Sequence, residues 1–60
     1  MKYQIGDIIK PDRIESNENL YYLIVGISQF SKIYYILHIP SNNQSNMYFH
    51  IAHANYIKVS

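Results

Sequence analysis

The sequence contains no cysteine and no tryptophan, only two glycines and two prolines, and few charged residues. Without cysteine the chain has no disulfide bonds, thiolate zinc ligands or thiol nucleophiles, which is typical of an intracellular protein. The longest apolar runs are about seven or eight residues, far short of the roughly 20 that a membrane helix needs, and "MKYQIGDIIK" lacks the apolar stretch of a signal peptide. These absences predict a soluble, cytoplasmic protein.

The length of 60 residues predicts one domain, residues 1–60. A domain of this size buries only about 60% of the surface of its unfolded chain, so a second chain or a ligand would add useful stability. The formal net charge of +1 makes no strongly basic or acidic surface, and all four acidic residues precede residue 19. The composition therefore gives no electrostatic indication of a partner.

Five stretches have the residue types and spacing of β-strands. "YQIGDIIKP" has a Gly-Asp turn and ends at a proline, while "YYLIVGI" and "IYYILHI" are rich in β-branched and aromatic residues and lie a hairpin loop apart. "PSNNQSN" is a predicted loop, Met47–Ala52 a predicted fourth strand, "AHANY" a short 3₁₀ turn and "IKV" the last strand. The pattern predicts an all-β fold: a small, five-stranded, strongly bent antiparallel barrel.

The start "YQIGDII", from Tyr3 to Ile9, followed by three meander strands, a 3₁₀ turn and a closing strand, resembles the Src-homology-3-like barrel. Many small phage-encoded proteins look like this and act as structural, regulatory or host-inhibiting factors. The chain lacks the "ALYDY" motif and the tryptophan of members that bind proline-rich peptides. The resemblance therefore implies a fold and a phage-encoded inhibitor or adaptor of a host protein, without polyproline recognition.

Both faces of the two central predicted strands are apolar. If Ile27 pairs with Ile33 and Ile39 with Met47, one face carries Leu23, Tyr35 and their neighbours, and we expect that face to be the core. The opposite face then carries seven large side chains, none charged at neutral pH: Tyr22, Ile24, Tyr34, Ile36, His38, Tyr48 and His50. We expect these seven residues to form an exposed partner-binding surface, because aromatic anchors dominate binding energy where they are desolvated.

The preferred function is a non-enzymatic protein-binding module, with either a host protein or a second copy of the chain as partner. Small barrels also stack nucleic acid bases on exposed aromatics, but only Lys32 and Lys58 lie free to flank the sheet, so nucleic acid is the less favoured alternative. A homodimeric structural protein is the other alternative. The unpaired edge of "YIKVS" offers a further docking mode by strand addition.

No constellation in the sequence predicts catalysis, a cofactor or a metal. The acidic residues lie in the first third of the chain, away from the histidines, so no nucleophile, base and acid come together. His38 and His50 are diagonal neighbours in the expected pairing, yet no Cys, Asp or Glu lies near them in sequence to complete a tetrahedral zinc site. We therefore expect no catalytic residues, no cofactor and no metal ligands.

Overall fold

The computed structural model describes residues 2–13, 20–39 and 41–59, which form one antiparallel sheet and one short helix. The elements are β1 (Ile8–Pro11), β2 (Tyr22–Ser28), β3 (Ile33–His38), β4 (Asn43–Tyr48), α1 (Phe49–Asn55) and β5 (Tyr56–Lys58). The strand order is β4-β3-β2-β1-β5, so the last strand pairs with the first. The prediction of five antiparallel strands is confirmed, whereas β4 and β5 do not pair among these residues and the sheet is not a closed barrel.

The entry into β1 is the turn that the Gly-Asp pair predicts. Gly6 has a φ of +97°, a left-handed conformation that glycine adopts without steric cost. The N–H of Asp7 donates to the carbonyl of Gln4 at 3.0 Å, and the Asp7 carboxylate accepts the N–H of Gln4 at 2.9 Å. The N–H of Gly6 also bonds the carbonyl of Ile24 at 2.9 Å. The turn therefore attaches the N-terminal arm to the middle of β2.

A β-bulge changes which side chains of β2 lie on the same face. Ile24 pairs with Ile36, as the sequence predicts, but beyond the bulge Ile27 pairs with Tyr34 and not with Ile33. The extra residue lies between Ile24 and Gly26 and reverses the alternation at that point. Ile27 consequently shares the face of Ile24, which simple alternation excludes.

Most of the predicted loop "PSNNQSN" is strand in the structure. β4 begins at Asn43 and pairs with β3 without interruption to Tyr48. The hairpin turns at Asn42, whose φ of +58° is a conformation that asparagine tolerates better than most residues. Pairing with β3 outweighs the low strand propensity of asparagine, so Tyr34, not Ile39, lies opposite Met47.

The chain from Phe49 to Asn55 is helical, so the prediction of a strand over Met47–Ala52 and of a 3₁₀ turn at "AHANY" is wrong. Phe49, Ala52, His53 and Tyr56 follow the helical spacing i, i+3, i+4, i+7. Ala52 is fully buried, and Phe49 and Tyr56 pack against the core. The small side chain of Ala52 allows α1 to lie close to the sheet.

Six side chains form the buried core. Ile9, Ile24, Tyr34 and Ile36 come from one face of the sheet, which we call the inner face, and Tyr3 and Ala52 come from the N-terminal arm and α1, which cover it. The complete set is Tyr3, Ile9, Ile24, Tyr34, Ile36 and Ala52. The loop from Asp12 to Asn19, which follows β1, lies mostly outside the described residues, since these omit residues 14–19.

Candidate protein-binding surface

The structure separates the seven side chains that were expected to form one exposed surface. Ile24, Tyr34 and Ile36 are buried, with exposed fractions of 0%, 0% and 3%. Tyr22 and His38 are half-buried, and only Tyr48 and His50 are exposed. The expectation that all seven are exposed is therefore wrong, because the N-terminal arm and α1 cover the face from within the same chain.

Tyr48 and His50 remain neighbours, but not on the sheet. Their rings stack with centroids 5.8 Å apart, at the junction where β4 becomes α1. The ring of His38 lies 5.2 Å from that of Tyr22, and its Nδ1 bonds the Ser41 hydroxyl at 2.7 Å. The expected proximity of His38 and His50 depended on a strand at residue 50, which the helix replaces.

A buried aromatic cluster joins the N-terminal arm, β3 and α1. The Tyr34 hydroxyl accepts the backbone N–H of Tyr3 at 3.3 Å and lies 2.7 Å from Nε2 of His53. Tyr3 donates its own hydroxyl to the carbonyl of Tyr56 at 2.8 Å. Since the Tyr34 oxygen already accepts a hydrogen bond, a neutral His53 with an unprotonated Nε2 is the natural acceptor of its proton.

The pKa values in this cluster favour its uncharged form. Burial, and then the Lys2 ammonium, lower the pKa of His53 below its usual value of 6.5. Burial raises the pKa of Tyr34 above 10.0, and burial likewise raises the pKa of Tyr3. The cluster is thus neutral near pH 7, and its hydrogen bonds hold the arm and α1 on the inner face.

The other side of the sheet, which we call the outer face, is also apolar. Residues that pair across antiparallel strands share a face, so the observed pairing places Leu23 with Leu37 and Ile8 with Leu23 on this side. Its apolar and aromatic side chains are Ile8, Leu23, Val25, Ile33, Tyr35, Leu37, Tyr48 and Ile57, and the same pairing places Lys10, Gln44 and Asn46 on this face as well. Notably, several of these are the side chains that the sequence predicts as the core.

Side chains of the outer face keep much of their surface exposed. The exposed fraction is 37% for Val25, 41% for Tyr35, 54% for Tyr48 and 39% for Ile57. The ring of Tyr35 lies beside Gly26, where a Cβ atom would come within 3.0 Å of the Tyr35 Cδ2 atom. Gly26 therefore leaves room for this ring next to the strand.

The outer face has little charge. Among the charged residues of the described strands, Lys10 is on this side of the sheet, because it pairs with Ile57. Lys58 pairs with Ile9 and forms an ion pair of 3.5 Å with Asp7. A sheet face with eight apolar or aromatic side chains and one charged strand residue is the kind of surface that marks an interaction site.

Phe30 is a further exposed aromatic side chain, at the tip of the β2–β3 hairpin. Its exposed fraction is 99%, so it contributes no packing to the fold. The hairpin tip is ordered by the bond from the N–H of Ser31 to the Ser28 hydroxyl, at 3.3 Å, and by Lys32 with a φ of +56°. A phenylalanine on an ordered turn loses little conformational entropy when it binds, because its backbone is already placed.

The described residues offer no metal site: no group of three or more His, Cys, Asp or Glu side chains converges among residues 2–13, 20–39 and 41–59. An open groove of about 430 Å³ is lined by Pro11, Asp12, Arg13, Ala54, Asn55 and Tyr56. Asp12 is the one carboxylate in that lining, with Arg13 beside it and no histidine. This set does not provide the paired acid and base that hydrolytic chemistry uses.

Comparison of the chain with protein-family models, with curated protein sequences and with solved structures finds no match. The one helix among the described residues, α1, is neither long nor apolar enough to span a bilayer.

Proposed function

We propose that this chain is a non-enzymatic protein-binding module, and that it binds its partner through the outer face and Phe30. One observation carries the proposal: the chain covers its inner face with its own arm and helix, yet four large side chains of the apolar outer face, Val25, Tyr35, Tyr48 and Ile57, stay exposed. Exposed apolar surface is unfavourable in water, and a large contiguous patch of it usually serves recognition. The sequence favours the same function, but it predicts the binding surface on the opposite side of the sheet.

The aromatic side chains of this surface suit the centre of an interface. Tyr35 and Tyr48 each present an apolar ring with a hydroxyl that stays able to bond a partner. Phe30 supplies a projecting anchor of the type that fills a pocket on the other protein. Their loss would therefore cost more binding energy than the loss of the flanking aliphatic residues.

The partner that fits is a protein with an uncharged, apolar surface patch. Lys10 is the one charged residue of the described strands on the outer face, so neither a strongly basic nor a strongly acidic partner gains several matching charges there. For the same reason the surface is poorly suited to nucleic acid, whose affinity depends on several cations along the phosphate backbone.

The particular role that we propose is an inhibitor or adaptor, encoded by a phage and directed at a host protein in the cytoplasm. The Src-homology-3-like architecture implied by "YQIGDII" is part of this proposal, and the pairing of the last strand with the first supports it. Binding in this mode needs no catalytic group, metal or cofactor.

The experiment combines capture with reconstitution. The chain is immobilised, a protein retained from a bacterial lysate is identified and purified, and its Kd is measured by calorimetry with wild-type chain, Phe30→Ala, Tyr35→Ser and Ile51→Ser. Phe30→Ala and Tyr35→Ser are expected to raise Kd by about tenfold or more. Ile51→Ser is the matched control, since Ile51 is on α1 with an exposed fraction of 38%, close to the 41% of Tyr35.

Three results would contradict the proposal. An equal Kd for all four chains would place the binding surface elsewhere. A wild-type dimer that Tyr35→Ser converts to monomer would show that a second copy covers the outer face. Salt-dependent binding of a fluorescent single-stranded oligonucleotide, lost in Lys10→Glu, would favour the nucleic acid alternative.

A further inference from the structure

The edges of the sheet differ in how well they are protected. β4 and β5 are the two edge strands, and in the described part of the chain no further strand pairs with the free edge of either. β5 is only three residues long and ends at Lys58, which is paired with Asp7. Short length and charge are two of the devices by which natural proteins prevent strand addition. The edge that the sequence suggests for docking, "YIKVS", is therefore the poorer of the two.

β4 lacks these protective features. It has six residues, "NQSNMY", with no charge, no proline and no bulge along its pairing with β3. Five of the six residues, all except Met47, are exposed. A regular, uncharged edge strand of this length is a template for another strand.

The hydrogen bonds show which backbone groups of β4 face outward. The N–H of Phe49 donates to the carbonyl of Lys32 at 2.8 Å, and alternate residues of an antiparallel strand turn their backbone groups to the same neighbour. Asn43, Ser45 and Met47 thus turn theirs toward β3. The backbone N–H and C=O groups of Gln44 and Asn46 and the N–H of Tyr48 point away from the sheet, while the C=O of Tyr48, the N-cap residue, accepts the first hydrogen bond of α1.

We propose that two copies of this chain associate through their β4 strands, antiparallel and about a two-fold axis that passes beside Asn46. In this register Asn46 lies opposite Asn46 of the second copy, and Gln44 lies opposite Tyr48. All three outward-facing residues of each strand are then used, which gives about four backbone hydrogen bonds: two between the Asn46 residues, and one from each Tyr48 N–H to the carbonyl of Gln44. With the axis at Ser45 the Tyr48 N–H would stay unpaired, so the register at Asn46 is preferred.

A second copy suits this edge because β4 is complementary to itself. The strand places no charge opposite a like charge, and Asn46 side-chain amides can bond each other across the axis. The contact is isologous and closes at two copies, whereas pairing of β4 with β5 of the next copy would continue into a fibre. The short, charged β5 opposes that alternative. The pairing makes one sheet of ten strands and leaves the outer face uncovered.

Two charge variants test the register directly. Asn46→Lys and Asn46→Asp each place like charges opposite each other at the axis, whereas a mixture of the two variants places opposite charges there. Solution mass is measured by light scattering from micromolar to near-millimolar concentration for wild-type chain, each variant, and the equimolar mixture. We expect wild-type chain to dimerise, each variant to weaken dimerisation several-fold, and the mixture to regain it. Asn55→Lys, on α1, controls for added charge and should dimerise like wild-type chain.

A wild-type chain that stays monomeric throughout this range would overturn the proposal. The proposal would also be overturned if both Asn46 variants dimerised like wild-type chain. It would likewise be overturned if both variants dimerised more weakly and their mixture did not regain dimerisation. Phe30→Ala is expected to dimerise normally. A Phe30→Ala chain that dimerises normally but binds the protein partner with a raised Kd distinguishes this contact from the outer face, because Phe30 lies at the β2–β3 hairpin tip and not on β4.

Discussion

Tyr34 and Tyr35 are consecutive residues of β3 with opposite surroundings. The Tyr34 hydroxyl bonds both Tyr3 and His53, while no hydrogen bond to the Tyr35 hydroxyl is seen among the described residues. Tyr34→Phe leaves the N–H of Tyr3 and Nε2 of His53 without this partner. We expect it to lower the free energy of unfolding by about 1 to 2 kcal/mol, measured by urea denaturation.

Tyr35→Phe is the matched control, because it removes the same atom from the adjacent, exposed residue. Its effect should stay within about 0.5 kcal/mol, as for surface substitutions in general. If the two variants were equally destabilised, the hydrogen bonds around Tyr34 would not hold the arm and helix as described.

The lowered pKa of His53 predicts that stability depends on pH. Burial lowers its pKa in the folded chain below the usual 6.5, so between these two pKa values the unfolded chain binds more protons. The contribution of His53 is fully present above pH 6.5 and is lost as the pH falls from there through the folded-state pKa. The urea midpoint should therefore fall more between pH 7.5 and pH 5.5 for wild-type chain than for His53→Gln, because glutamine does not titrate.

His38 and His50 are present in both wild-type chain and His53→Gln, so the difference between the two falls in midpoint reports on His53 alone. An equal fall in midpoint would show that His53 titrates alike in the folded and unfolded chains.

Among the elements, α1 is the one where the structure has a helix and the sequence predicts a strand, and substitutions on it can distinguish the two. Phe49 packs on Tyr34 with ring centroids 4.6 Å apart, while Ile51 lies on the exposed side of α1. We expect Phe49→Ala to lower the free energy of unfolding by about 2 to 3 kcal/mol and Ile51→Ala by less than about 1 kcal/mol. A strand at these positions would place Phe49 and Ile51 on the same face, and the two substitutions would then have similar costs. Thermal denaturation of both variants decides between them.

The sequence predicts strands well where residue type and turn chemistry agree. The proline at the end of β1, the Gly-Asp turn before it and the β-branched runs of β2 and β3 all indicate the observed elements. β4 is missed because its asparagines favour loops, and only its pairing with β3 makes it a strand. The helical spacing of Phe49, Ala52 and Tyr56 is visible in the sequence, but the short segment also fits a strand.

For the whole molecule, alternation cannot choose the core face when both faces are apolar. Leu23, Val25 and Tyr35 suit a core as well as Ile24 and Ile36 do, and the bulge before Gly26 moves Ile27 from one set to the other. The core face is the one that the N-terminal arm, with Tyr3, and α1 cover. These contacts span almost the whole chain, so the candidate surface follows from tertiary packing and not from local pattern.

The most direct test of this account is hydroxyl-radical labelling of the native chain, with mass spectrometry to separate Tyr34 from Tyr35. Their exposed fractions are 0% and 41%. The account predicts that Tyr35 is labelled several-fold faster than Tyr34, and that denaturant removes the difference. Faster labelling of Tyr34 would mean that the inner face is the exposed one, and the proposed binding surface would then be wrong.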